Sequence, residues 1–258
     1  EMEAWTNIPM NDNFALRLAA YHSEEDGYAD NAAEIGDDNL VAHDKSAFRA
    51  TAGLRGENWD ATLMLEYEDR DQSGSIYRAL DDDVLATLGE NLGRDITPGG
   101  TIRDVDNDAK LGNFDRGEVI SLSAEINFDL GFATLTSLTG YKDHDYEYAE
   151  DFDGTRVGFN DYSQDQSGDY FEQELRLVSQ TDGALSWYGG VSYYKENIDA
   201  FFQQRADEDV MCAAYYYFST CNELYAYYDQ GAFSYDPDGL LEQNQVYGKY
   251  HGWGAYVD

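Results

Sequence analysis

The sequence predicts an all-β chain that forms part of a transmembrane, antiparallel, up-and-down β-barrel with long acidic external loops. Three observations lead there. Apolar and polar residues alternate in about nine separate segments, the joins between them are short and long in turn, and the alternating faces begin and end with aromatic residues. No stretch sustains a convincing 3.6-residue period, so no helix is expected.

The segments follow in order. An incomplete strand near 2–9 precedes 13–22, where Phe14, Leu16, Leu18 and Ala20 share one face and Arg17 takes the other. In 47–55, Phe48, Ala50, Ala52 and Leu54 oppose Arg49, Thr51 and Arg55. In 59–68, Trp59, Ala61, Leu63, Leu65 and Tyr67 oppose Thr62, Glu66 and Glu68. Residues 119–128 set Ile120, Leu122, Ala124, Ile126 and Phe128 against Ser121, Ser123, Glu125 and Asn127. The run 132–143 is less regular, with Ala133, Leu135 and Tyr141 assigned outward. Then come 170–179, with Leu175 and Leu177 against Glu172, Glu174 and Arg176, and 186–196, with Trp187, Val191 and Tyr193 outward. A last strand spans 244–258.

Short joins fall at 10–12, 56–58, 129–131 and 180–185, with turn residues such as Asn11-Asp12 and Asp182-Gly183. Long ones fall at 24–44, 71–115, 148–167 and 203–242. These 126 residues carry −25 of the chain's net −36. Such a chain offers no basic patch for a nucleic-acid backbone. With 42% hydrophobic residues it is not disordered by composition, although its mean hydropathy is −0.63. No window reaches the ~18 uncharged apolar residues of a membrane helix.

A secreted β-sandwich also alternates. Regular long–short joins and paired aromatic belts favour the barrel. Trp59 and Tyr67 lie eight residues apart. At about 3.3 Å per residue and a tilt of about 45°, that is a rise of roughly 19 Å, near the ~25 Å apolar band of a membrane barrel. Lumen-facing Arg and Glu then avoid lipid.

"NIPMNDNFALRLAAYHSEEDGYADN" (7–31), "FATLTSLTGYKDHDYEY" (132–148) and "YFEQELRLVSQTDGALSWYGGVSYYKE" (170–196) resemble barrel strands of TonB-dependent receptors. That resemblance implies a Gram-negative outer membrane, a 22-stranded barrel with an N-terminal plug, and a TonB-type energising partner. It also implies active uptake of a scarce solute, such as a ferric siderophore, a cobalamin-like cofactor or an oligosaccharide. A passive porin and a secreted adhesin or lectin are the competing readings. Nine strands in 258 residues need about 29 residues each, so 22 would need roughly 630. Glu1 in place of an initiator Met, and "WGAYVD" stopping in mid-alternation, agree with an internal piece that lacks plug and C-terminal strands.

Loop 203–242 holds Cys212 and Cys221, the only cysteines, expected as a disulfide in an oxidising compartment. Free buried thiols, or a metal site without a nearby His, are the other readings. Around them lie Tyr215, Tyr216, Tyr217, Tyr225, Tyr227 and Tyr228, suited to ligand capture at a barrel mouth or to packing among loops. "DVDNDAKLGNFD" (104–115) sets Asp104, Asp106, Asp108 and Asp115 near the ligand positions of a calcium loop. Ala109 replaces the turn glycine, position 12 is the shorter Asp, and a solvated acidic loop is the plainer reading. No cofactor is otherwise required. His22, His43, His144 and His251 lack ligand spacing, and no nucleophile–base set or phosphate loop emerges, so no enzyme is read here.

Overall fold

The computed structural model describes residues 1–33, 39–80, 83–98, 100–180 and 185–258. In chain order it contains β1 (Met2–Asn11), β2 (Phe14–Glu25), β3 (Ala29–Asn31), β4 (Asn39–Leu40), β5 (His43–Arg55) and β6 (Trp59–Gln72). There follow α1 (Asp83–Leu92), β7 (Asp104–Val105), β8 (Phe114–Asp129), β9 (Ala133–Asp151), β10 (Asp161–Ser179) and β11 (Tyr188–Arg205). The chain ends with α2 (Glu208–Tyr216), α3 (Cys221–Tyr227) and β12 (Leu240–Val257). The nine long strands form one antiparallel sheet in the order β1-β2-β5-β6-β8-β9-β10-β11-β12, each beside its predecessor. This is the expected up-and-down meander. The minor strands β3, β4 and β7 form a separate small sheet.

Register carries the period-2 pattern across the sheet. Phe14 pairs with Leu54, Leu54 with Ala61, Ala61 with Ile126, Ile126 with Ser137, Ser137 with Leu175 and Leu175 with Val191. A second apolar row runs from Leu18 through Ala50, Leu65 and Leu122 to Tyr141. On the opposite face Arg49, Glu66, Ser121, Lys142, Tyr170 and Glu196 form a polar row. A slip of one residue would exchange the two faces, so this agreement over many strands fixes the pairing.

The apolar face covers no core. Leu63, Leu65, Leu122 and Val191 remain 38–52% exposed, and every buried apolar cluster of the described residues lies in the long connections instead. A sandwich would have buried these rows between two sheets. An apolar surface this broad is stable only against lipid or a partner. Polar side chains pair across the opposite face: Arg49 pairs with Glu66, Tyr170 Oη donates to Glu172 at 2.9 Å, and Tyr256 Oη donates to Glu174 at 2.6 Å. No helix among the described residues is long and apolar enough to cross a membrane.

The joins correct several sequence-based boundaries. Between β1 and β2 the turn residues are Asp12-Asn13, closed by Asn13 N–H donating to Asn11 Oδ1 at 2.9 Å. Gly131 turns the β8–β9 join at φ 82°, a left-handed backbone that costs glycine nothing. Asp182-Gly183 lies outside the described residues. The strands also run further outward than expected. β9 and β10 each have 19 residues. At about 3.3 Å per residue and a tilt of about 45° they rise roughly 44 Å, well past the ~25 Å apolar band. Above the band both faces meet water, as in the run from Ser163 to Asp169. Alternation therefore disappears there while the hydrogen-bond ladder continues.

Candidate functional site

The long connections form one packed layer above the wall. Leu85 of α1, Ile96, Val157 of the β9–β10 tip and Val210 of α2 share an apolar cluster, with Leu88, Leu92 and Phe159 against it. The absence of helices expected from the sequence is corrected here. Leu85, Leu88 and Leu92 of α1 do follow helical spacing, over a stretch of only ten residues. Asn91 Nδ2 of α1 donates to the Ala213 carbonyl of α2 at 3.1 Å, and Asp207 N–H donates to the Gly158 carbonyl at 2.6 Å. A second cluster of Ala29, Leu40 and Val105 ties the β2–β5 and β6–β8 connections through the small sheet.

Beyond β11 the chain builds an aromatic unit. Asp207 caps α2, accepting from Asp209 N–H at 3.0 Å, and Thr220 caps α3, accepting from Glu223 N–H at 3.1 Å. Cys212 and Cys221 are bonded, with Cα atoms 5.3 Å apart, which joins the two helices. Phe218, Tyr225 and Phe233 pack around the bridge and Leu224. Asp209 Oδ1 accepts from both Cys221 N–H, at 2.8 Å, and Tyr235 Oη, at 2.6 Å, locking the return segment. The six expected tyrosines thus divide. Tyr225 belongs to the packed centre, edge-on to Phe233 at 4.9 Å. Tyr215, Tyr216, Tyr217, Tyr227 and Tyr228 are 59–71% exposed. Tyr217 closes α2 at φ 61°, ψ 30°, a left-handed position that usually falls to glycine.

The acidic residues of 104–115 do not converge as a linear calcium loop. Asp104 accepts from Thr101 N–H, Asp106 is buried against Arg156 with both oxygens 3.0 Å from Nη2, and Asp115 pairs with Arg70 at 2.8 Å. These three carboxylates are committed to separate partners, so the segment does not wrap one point. Only Asp108 joins a carboxylate cluster, and its companions come from elsewhere. Asp151 ends β9 and Asp161 begins β10, directly opposite in the ladder. One oxygen from each of Asp108, Asp151 and Asp161 lies within 4.8 Å of the others.

The cluster's wiring is asymmetric. Asp151 accepts from Asp153 and Gly154 N–H at 2.9 and 3.1 Å and from Asp108 N–H at 3.2 Å. Gly154 has φ 64°, and a Cβ there would stand 2.6 Å from the Tyr77 carbonyl carbon, so the tip needs glycine. Asp153 is filled by backbone donors from Thr155, Phe159 and Asn160. Asp161 Oδ2 accepts from Lys110 N–H at 3.1 Å, but its Oδ1 and Asp108 Oδ1 have no partner. Burial, then the charges of Asp153 and Asp161, push the Asp108 carboxyl up to about 7. Burial raises Asp151, Asp153 and Asp161 as well.

No family model matches the sequence, and no curated protein matches it by sequence. Solved structures do match. The siderophore receptor PiuA from Acinetobacter baumannii aligns with 99% of this chain at TM-score 0.58 and 14% identity. The shared fold is that of a β-barrel wall, here nine consecutive antiparallel strands. The ferric yersiniabactin uptake receptor FyuA from Yersinia pestis aligns with 80% of the chain at TM-score 0.55 and 16% identity. The chain spans 37% and 30% of those two receptors, about a third of their length. Both neighbours are receptors and neither is an enzyme.

Several residues of this wall and its loop layer escape a reading of the sequence alone. Phe159 stacks on Tyr215 at 6.1 Å, and Phe233 and Tyr235 complete the aromatic unit. The cap pattern Thr220-x-x-Glu223 marks α3 in the sequence. Asp151 and Asp161 are legible only once "EDFDGTRVGFND" (150–161) is taken as a hairpin tip that brings both ends together.

Proposed function

We propose that this wall belongs to a TonB-dependent receptor of a Gram-negative outer membrane, and that the receptor takes up a ferric siderophore. The observation that carries the reading is the exposed tyrosine surface on a disulfide-joined helix pair, standing above a wall with an apolar outer and a charged inner face. Tyrosine rings give rigid apolar area with a polar tip at little entropic cost, which suits the flat organic parts of an iron chelate. The strained backbone at Tyr217 supports a binding role, since such strain persists where surroundings over-determine it. The acidic loops favour a neutral or cationic chelate over a bare anion, an effect confined to about 8 Å at physiological ionic strength.

β1 and β12 are the two edges of the sheet. A membrane wall cannot leave edge N–H and C=O groups in lipid, so further strands close the barrel, and a plug and TonB-binding segment complete the receptor. Replacing 211–222 by a short Gly-Ser linker tests the reading. Uptake and binding of the iron-loaded siderophore should fall at least tenfold, while heat-modifiable gel mobility shows the barrel assembled. Uptake at the original level by that assembled variant would reduce the unit to a protective lid.

A further inference from the structure

We infer that Asp108, Asp151 and Asp161 form a calcium site that joins the β6–β8 connection to the β9–β10 hairpin. The inference stands on this chain's own geometry and is independent of what the receptor carries. Asp151 and Asp161 are 1% and 3% exposed, and Asp161 Oδ1 is a buried acceptor with no donor. Asp108 Oδ1 is also without a partner, and one carboxylate oxygen of Asp108 lies within 4.8 Å of one each from Asp151 and Asp161. Like-charged residues directly opposite in a ladder destabilise it, so the Asp151–Asp161 pair needs compensation. None of the ion pairs of the described residues reaches these three aspartates.

Distance and donor chemistry select the cation. Calcium binds carboxylate oxygens at about 2.3–2.6 Å, so two ligands on opposite sides of one ion stand about 4.6–5.2 Å apart. The ligand oxygens of the trio all lie within 4.8 Å of one another, no farther apart than ligands of one calcium ion can stand. All donors are hard oxygens, with no nitrogen or sulfur to favour zinc or copper. Magnesium demands near-ideal octahedral geometry at about 2.1 Å and dehydrates reluctantly, whereas calcium tolerates the irregular arrangement that three aspartates from separate segments supply. Asp153, held by backbone donors, adds negative potential without needing to touch the ion. The consequence is mechanical. Lys110 N–H and Asp108 N–H already anchor on Asp161 and Asp151, and the ion would add the missing bond between connection and hairpin.

The alternative is a proton-sharing cluster. The Asp108 carboxyl, raised by burial to about 7, binds more protons folded than unfolded, so its contribution to stability is lost as pH rises through that value. Calcium would then be irrelevant.

The test uses the protein extracted in detergent and stripped with EDTA, titrated with Ca2+ against a Mg2+ background by calorimetry. Limited trypsin cleavage at Arg103 and Lys110 gives a second readout. One Ca2+ should bind and protect both sites, with affinity about tenfold or more weaker in Asp161→Asn and Asp108→Asn, since affinity follows ligand charge count. Those variants relieve repulsion, so without calcium they should be cleaved no faster than the parent. Asp104→Asn, whose carboxylate lies outside the trio, should bind Ca2+ as the parent does. The inference is overturned if millimolar Ca2+ neither binds nor protects, if Mg2+ competes equally, or if Asp161→Asn binds with unchanged affinity.

Discussion

Tyr217 holds a left-handed backbone, and Asp161 a buried oxygen without a partner, that folding alone does not favour. A left-handed, non-glycine backbone costs about 1–2 kcal/mol, and Tyr217 accepts that cost while 71% exposed. Tyr217→Gly should therefore raise the stability of the α2–α3 unit by up to about 1 kcal/mol, measured as resistance of this segment to proteolysis. It should also weaken siderophore binding, measured by fluorescence quenching. A variant both less stable and equally tight would assign Tyr217 to packing. The tyrosines were legible as a cluster because they crowd "AAYYYFSTCNELYAYY" (213–228), but the burial of Tyr225 was not. That distinction depends on which side of two helices faces the disulfide, and the helices themselves are short. Asp151 and Asp161 were hidden for a different reason: their chemistry arises from a cross-strand pairing.

At the scale of elements, the strands were the most legible part of the molecule. Period 2 on a surface with one lipid face and one wet face writes itself directly into residues such as Leu122–Ser123–Ala124–Glu125. The same logic explains the failure above the membrane, where both faces of β10 are polar and no contrast remains. Leu65 and Leu122 are cross-strand neighbours in the apolar row. Leu65→Arg should cost about 2–4 kcal/mol of barrel stability, read as a lower urea midpoint in lipid vesicles, whereas the neighbouring Met64→Arg, on the lumen face, should cost far less. Equal costs would contradict the assignment of faces. For the helix pair, reducing the Cys212–Cys221 bridge should release a short loop worth about 2–3 kcal/mol of constraint. The double variant Cys212→Ser with Cys221→Ser should leave heat-modifiable mobility intact and expose the 206–239 connection to protease, because the wall does not depend on that loop.

The whole molecule is a division of labour between a repetitive wall and a packed loop layer. The wall spends its sequence on two-sided alternation, which leaves little room for specificity, and the layer concentrates aromatic and acidic chemistry where four connections meet. Variable connections on a rigid scaffold are where recognition usually resides. The central claim is that one face of this sheet meets lipid and the other water. Nitroxide labels placed one at a time from Val119 to Phe128 of β8, in the protein reconstituted in bilayers, test it most directly. Collision rates with oxygen and with a water-soluble nickel chelate should oscillate with period 2 and in opposite phase. Oxygen maxima should fall at Ile120, Leu122, Ala124 and Ile126, and chelate maxima at Ser121, Ser123 and Glu125. Two accessibilities that rise and fall together, or a chelate that reaches Leu122 as freely as Ser123, would contradict a membrane wall.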